Sequence, residues 1–174
     1  MKKFILMCIL FLSSLTAQAS DLSLFAGWTG VGSLETVAGQ VNLSNFNVFG
    51  VRWEKDFLVV LGFENTLSFS SGSVLSLAGE DNGGLNYTGN LVINLPVRRT
   101  LPYFTLGLGV LHSFGTSFPD VGSKFTFNWG AGLKLRGLLG PMGVRIDYRR
   151  MTIYGVLDEN AKTHEISGGV MFHF

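Results

Sequence analysis

The chain has 174 residues, of which 47% are hydrophobic, 13% aromatic and 14% charged, with 23 glycines. Lys and Arg number 13 against 12 Asp and Glu, for a net charge of +1, and no basic run exceeds two residues. This excludes an electrostatic nucleic-acid binder. Past the N-terminal segment no apolar stretch reaches the ~20 residues of a spanning helix. A chain this apolar can still enter a membrane as a closed β-barrel, where the ladder satisfies every backbone polar group.

In chain order, Met1-Lys2-Lys3, the apolar run Phe4 to Leu12 and the Ala17-Gln18-Ala19 ending make up a secretory signal peptide. The predicted cut after Ala19 leaves a single domain, residues 20–174, with a near-zero charge balance. Cys8, the only cysteine, leaves with the signal, so no disulfide or thiol chemistry is expected.

Period-two alternation then recurs in eight stretches. The first, Leu22 to Thr29, puts Leu22, Leu24, Ala26 and Trp28 on one face. The second, about Asn45 to Glu54, sets Phe49, Val51 and Trp53 against Gly50, Arg52 and Glu54. The third, Phe57 to Phe69, sets Phe63 and Leu67 against Glu64 and Thr66. The fourth is Leu85 to Leu95, with Tyr87 and Leu91 against Thr88 and Asn90. The fifth, Tyr103 to Phe114, sets Phe104, Leu106 and Leu108 against Thr105, Gly107 and Gly109. The sixth, Lys124 to Arg136, sets Phe125, Phe127 and Trp129 against Asn128, Lys134 and Arg136. The seventh is Met142 to Met151, with Ile146 and Tyr148 against Arg145, Asp147 and Arg149. The eighth, Thr163 to Phe174, sets Ile166, Phe172 and Phe174 against Glu165, Ser167 and Gly169. Each is near the ~9–11 residues of a tilted membrane strand.

The connections alternate long and short. The short ones are Lys55-Asp56, Pro96 to Leu101 and Gly137 to Pro141. The long ones are about Gly30 to Ser44, Ser70 to Gly84, Gly115 to Ser123 and Thr152 to Lys162. Outer-membrane barrels have short periplasmic turns and longer outer loops. An even strand count opening on a long connection fits that layout, with both termini expected on the periplasmic side.

Polarity separates this from a soluble barrel. The face opposite the large apolar residues carries many glycines and both signs of charge: Arg52, Glu54, Glu64, Lys134, Arg136, Arg145, Asp147, Arg149 and Glu165. Small residues and paired charges suit a crowded lumen, so these groups are expected to form an internal network in place of a hydrophobic core. Trp28, Trp53, Tyr87, Trp129 and Tyr148 share the apolar face and are expected to form an aromatic girdle at the headgroup level. The other assignment, a secreted or periplasmic lipocalin-like barrel carrying an apolar ligand, puts the charges outside.

The last strand has a polar residue, a glycine and two aromatics at Ser167, Gly169, Phe172 and Phe174. This pattern resembles the C-terminal signal read by the outer-membrane barrel-assembly machinery. Together with the strand layout, the Pro102-Tyr103 opening with its Gly107-x-Gly109, and Arg145-x-Asp147-Tyr148-Arg149, it makes residues 20–174 similar to the small eight-stranded outer-membrane β-barrel family. The resemblance implies an all-β, antiparallel, up-and-down transmembrane barrel in the bacterial outer membrane. It further implies a porin-like architecture, a monomer, and contact with outer-membrane lipids and lipopolysaccharide.

Catalysis finds little footing. The last strands resemble those of a lipid A deacylase that carries a His-x-Ser pair soon after Tyr-Arg; here Thr152 and Tyr154 stand in those places. His112 and Ser113 are strand neighbours and point to opposite faces. His112, His164 and His173 are scattered, without metal-ligand spacing. No catalytic residue, metal or cofactor is expected. Eight strands leave a lumen filled by side chains, so a narrow pore is the weaker expectation. Function is expected in an envelope scaffold and in its surface loops, which carry Val37, Leu75, Leu77, Phe118 and Val156 and the acids Asp81, Asp120, Asp158 and Glu159. The loop ligand is not legible.

Overall fold

The computed structural model describes residues 20–31, 34–36, 39–41, 45–58, 60–71, 83–95, 97, 100–114, 122–156 and 159–174. The predicted signal peptide, the loop residues Val37, Leu75, Leu77 and Phe118, and Asp81, Asp120 and Asp158 lie outside them. The strands are β1 (Ser20–Val31), β2 (Leu34–Thr36), β3 (Gly39–Val41), β4 (Phe46–Asp56), β5 (Leu61–Ser70) and β6 (Gly83–Asn94). They continue with β7 (Thr100–Phe114), β8 (Ser123–Leu139), β9 (Met142–Val156) and β10 (Glu159–His173).

Strands β1 and β4 to β10 close an eight-stranded antiparallel barrel in sequence order, and β2–β3 form a separate hairpin. Closure is by β1 against β10, from Asp21 opposite His173 to Val31 opposite Thr163. The chain end is tied into the ladder: Ser20 N donates to Phe174 O at 2.8 Å, and Phe174 N to Ser20 O at 3.0 Å. Closure leaves no free edge along these strands.

The wall is inverted relative to a soluble barrel. Leu24, Phe63, Leu106, Phe125 and Ile146 are exposed on the outside, whereas Arg52, Glu64, Lys134, Arg145 and Asp147 are buried inside. Burying charge while leaving Leu and Phe outside costs free energy in water, so the wall's natural solvent is hydrocarbon. The lipocalin-like assignment fails on this polarity.

Strand bounds differ from the sequence reading in five main places. The third stretch begins at Leu61, because Phe57 and Leu58 form the turn: Phe57 N and Leu58 N both donate to Leu61 O, at 3.0 and 3.1 Å. Their apolar character marks the barrel end rather than a strand. Strand β7 begins at Thr100 instead of Tyr103, and β8 runs on to Leu139 through a register shift after Leu135. Gly137 and Gly140 adopt φ of 69° and 62° there, a left-handed backbone that L residues with a Cβ resist. The fourth long connection is mostly strand, with β9 reaching Val156 and β10 starting at Glu159. The hairpin stays paired past the expected membrane edge, with a register shift between Glu159 and Ala161. The Gly30 to Ser44 connection likewise contains β2 and β3. Each of these strands has only three residues, too few for a period-two pattern to show.

Candidate functional site

The lumen is the site. Alternation sends one residue in two inward, and the inward set is almost wholly polar. Two glycines make room for it. A methyl on Gly132 would lie 2.5 Å from Tyr103 Cζ, and one on Gly107 would lie 2.7 Å from Asn90 Cγ.

All nine charged residues expected in the lumen lie there, in two joined clusters. In the first, Arg52 reaches Asp147 Oδ2 and Glu165 Oε1, both at 2.7 Å, and its guanidinium lies 3.6 Å above the Phe25 ring. Arg145 Nη2 pairs with Glu64 Oε2 at 2.9 Å, and Arg149 Nη2 with Glu64 Oε1 at 2.7 Å. Tyr103 Oη donates to Asp147 Oδ1 and accepts from Arg145 Nη2 at 2.6 Å. Three guanidinium groups face three carboxylates, so the cluster is neutral. Buried charge persists only with this degree of pairing.

The second cluster lies toward the chain termini. Lys134 Nζ contacts both Glu54 oxygens, at 2.5 and 2.6 Å, and Asn94 Oδ1 at 3.1 Å. Arg136 Nη2 bridges Asp21 at 2.6 Å and Asp56 at 3.2 Å, while His173 Nδ1 meets Asp21 Oδ1 at 2.8 Å. Tyr103 joins the two, with Lys134 Nζ 4.8 Å and Arg145 Cζ 5.1 Å from its ring centroid. The network thus runs across the lumen as a plug.

Sequence reasoning missed Asp21, Asp56, Tyr103, Asn90, Asn94 and His173 as network members. Asp21 and Tyr103 share the inward parity of Ser23 and Thr105, and that signal was available. Asp56 and His173 sit at strand ends, where parity is weakest.

Above the plug, toward the loop end, a small cavity of about 30 Å³ is lined by Thr29, Val48, Ser70, Asn86, Met151 and Glu165. Around its floor Arg52 Nε, Arg149 Nε, the Asn128 amide and Thr163 Oγ1 are buried without a protein partner. Such atoms take water.

Outside, Trp28, Tyr87, Trp129 and Tyr148 are exposed in the loop-end part of the wall and Trp53 is half-buried toward the termini. Tyr87 Oη donates to Asn65 Oδ1 at 2.7 Å. Of the C-terminal set, Ser167 is buried in the lumen and Gly169 packs beside Leu24 and Phe25, while Phe172 and Phe174 are exposed on the wall. Ser113 is buried, and His112 instead meets Ser123 Oγ at 3.1 Å across β7–β8. Among the described residues no carboxylate contacts His112, and no metal-binding group of His, Cys, Asp and Glu occurs. Tyr154 packs on Phe125, with ring centroids 5.8 Å apart.

The barrel is similar to solved structures at low identity. Neisserial surface protein A aligns with a TM-score of 0.70 at 12% identity, covering 91% of this chain and 100% of that one. Ail, the attachment invasion locus protein of Yersinia pestis, gives 0.52 at 18%, covering 90% and 100%. The outer membrane enzyme PagL gives 0.54 at 19%, covering 87% and 98%. No curated protein matches in sequence. The family model described as the outer membrane protein beta-barrel domain matches residues 7–174, and the chain, a closed and inverted barrel, belongs to that family.

Proposed function

We propose that this protein is a non-catalytic, closed anchor of the bacterial outer membrane, with both termini in the periplasm and its loop end presented at the cell surface for binding. The observation that carries this reading is the plug. Ion pairs of 2.5–2.9 Å link β1, β4, β5, β8, β9 and β10 across the lumen. Such a lumen resists solute flow, unlike that of wide porins. The barrel acts as a rigid support for loops, the usual seat of binding on a fixed scaffold. Ail's name speaks of attachment and invasion, and PagL's of an enzyme; for this chain the likeness supports the fold. Against catalysis stand Thr152 and Tyr154, where the deacylase pair is expected.

The test is twofold. Membrane-extracted protein is run on SDS gels with and without boiling, and the purified barrel is inserted into planar bilayers. A heat-dependent shift in the outer-membrane fraction with no sustained conductance supports the reading. A steady open channel overturns the plug, and an unshifted soluble band overturns the membrane anchor.

A further inference from the structure

Asn65 interrupts an otherwise apolar outer wall. The wall runs from Lys55 and Thr100 at the terminus end to the level of Trp28 and Tyr148 at the loop end. Between those levels the described strands turn only apolar, aromatic or glycine residues outward, apart from Asn65. Its outward neighbours on β5, Phe63 and Leu67, are both exposed. A rung of the ladder fixes its depth. From Phe172 near the chain termini the rung passes through Leu22, Trp53, Asn65 and Gly89, then crosses β7 and β8 to Thr152 at the loop end. The rung climbs because barrel strands tilt, and Asn65 stands halfway along it. In an apolar band ~25 Å tall, that is ~12 Å from either headgroup layer.

The amide at that depth is half satisfied. Tyr87 Oη donates to Asn65 Oδ1 at 2.7 Å, and among the described residues the amide nitrogen makes no hydrogen bond. Turning the amide over exchanges unmet donors for an unmet acceptor, so half of the group stays unpaired either way. Its neighbours on the wall, Trp53, Phe63, Leu67, Tyr87 and Gly89, are all described. Only Tyr87 among them carries a side-chain acceptor. An unpaired amide in hydrocarbon is costly. No lipid headgroup reaches the middle of the band, so the missing partner is protein.

We infer that the outer wall of β4–β6 around Asn65 is the contact with a second copy of this chain, related by a twofold axis beside Asn65. It rests on the membrane reading above and departs from the monomer that the family resemblance implies. The Asn65–Tyr87 pair is self-complementary. The amide nitrogen of each copy donates, while Oδ1 and the Tyr87 oxygen of the other each keep a lone pair to accept. Gly89, directly opposite Asn65, adds no side chain to hold two walls apart. Exposed Val51 and Leu67 supply apolar packing around the bonds. None of these residues is charged, so two copies meet without repulsion.

Sedimentation equilibrium in detergent and cysteine cross-linking in the outer membrane test it. Wild type should dimerise reversibly. Asn65→Leu, folded by its gel shift, should need about 3- to 30-fold more protein for the same dimer fraction. Asn65→Gln, which keeps the amide, should fall nearer to wild type. In membranes Leu67→Cys, with Asn65 intact, should give a disulfide-linked dimer under mild oxidation. Ile146→Cys, exposed on β9 across the barrel from β5, should not. Wild type that stays monomeric at every concentration, Asn65→Leu that dimerises as well, or equal linking at the two positions overturns the contact. A linked product of any size other than twice the chain overturns the second copy as its occupant. Failure of the membrane reading is separately visible, as a protein that stays soluble without detergent and shows no gel shift.

Discussion

Glu64 and Arg145 lie 81 residues apart in sequence and meet across the lumen at 2.9 Å, both fully buried. Their strands, β5 and β9, are not neighbours in the sheet, so the bond is a strut across the barrel rather than a rung of its ladder. Arg149 grips the other Glu64 oxygen at 2.7 Å. Glu64 is therefore the point where one carboxylate holds two cations.

Neutralising that carboxylate should be costly. Glu64→Gln leaves Arg145 and Arg149 short of a counter-charge, and breaking a buried pair from one side costs about 3–5 kcal/mol. Urea unfolding in detergent should show a clear fall in midpoint. Glu64→Gln/Arg149→Gln should recover part of the loss, because the two sites are coupled. An unchanged midpoint for the single variant would show that the strut carries no stability.

Tyr103 gives a finer probe. Its hydroxyl donates to Asp147 and accepts from Arg145, and Tyr103→Phe removes only that oxygen. The expected loss is about 1–3 kcal/mol, the cost of leaving buried polar partners unsatisfied, read from the same urea curves. A loss no larger than that of a surface variant would mean that Asp147 and Arg145 satisfy each other without it.

Lumen crowding predicts a contrast between two glycines. Gly132→Ala sets a methyl against the Tyr103 ring, whereas a methyl at Gly122 meets nothing within 4 Å. Overpacking at Gly132 should destabilise by about 1–3 kcal/mol, and Gly122→Ala should be near neutral. Equal effects on the unfolding midpoint would contradict the close approach at Tyr103.

The outer wall predicts the reverse of soluble-protein behaviour. Leu106 is 44% exposed on the outside of β7, where a lysine on a soluble barrel would be harmless. In vesicles Leu106→Lys should cost about 2–4 kcal/mol near the bilayer midplane, measured by reversible folding into lipid. A neutral substitution would place this face in water.

Phe174 separates assembly from stability. Its side chain is 70% exposed, while its backbone exchanges two hydrogen bonds with Ser20. Phe174→Ala keeps those bonds, so refolding in detergent should change by less than ~1 kcal/mol, the scale of surface substitutions. The amount of protein in the outer membrane should nevertheless fall several-fold if the assembly machinery reads this ring. A normal cellular level would remove Phe174 from that signal.

Much of this molecule was legible in sequence because a barrel strand has a period of two. Once Phe63, Leu67 and Leu91 are assigned outward, Glu64, Thr66 and Asn90 can only point inward, and an inward charge demands a partner. The inward set that follows from parity, from Arg52 to Glu165, lies in the lumen of the structure. Parity fades where strands end, which is why Phe57 and Leu58 read as strand but form a turn. For the same reason the β9–β10 hairpin, paired to Val156 and Glu159, read as a loop.

Sequence by itself determined which face of each strand meets lipid and which meets the lumen, because alternation is a local property of extended backbone. Only the tertiary structure decided who pairs with whom. The link between Glu64 and Arg145, the bridge from Lys134 to Glu54 and the place of Tyr103 between them depend on strand stagger and on how far each side chain reaches across the lumen. Those are properties of the closed ring, and no single strand contains them.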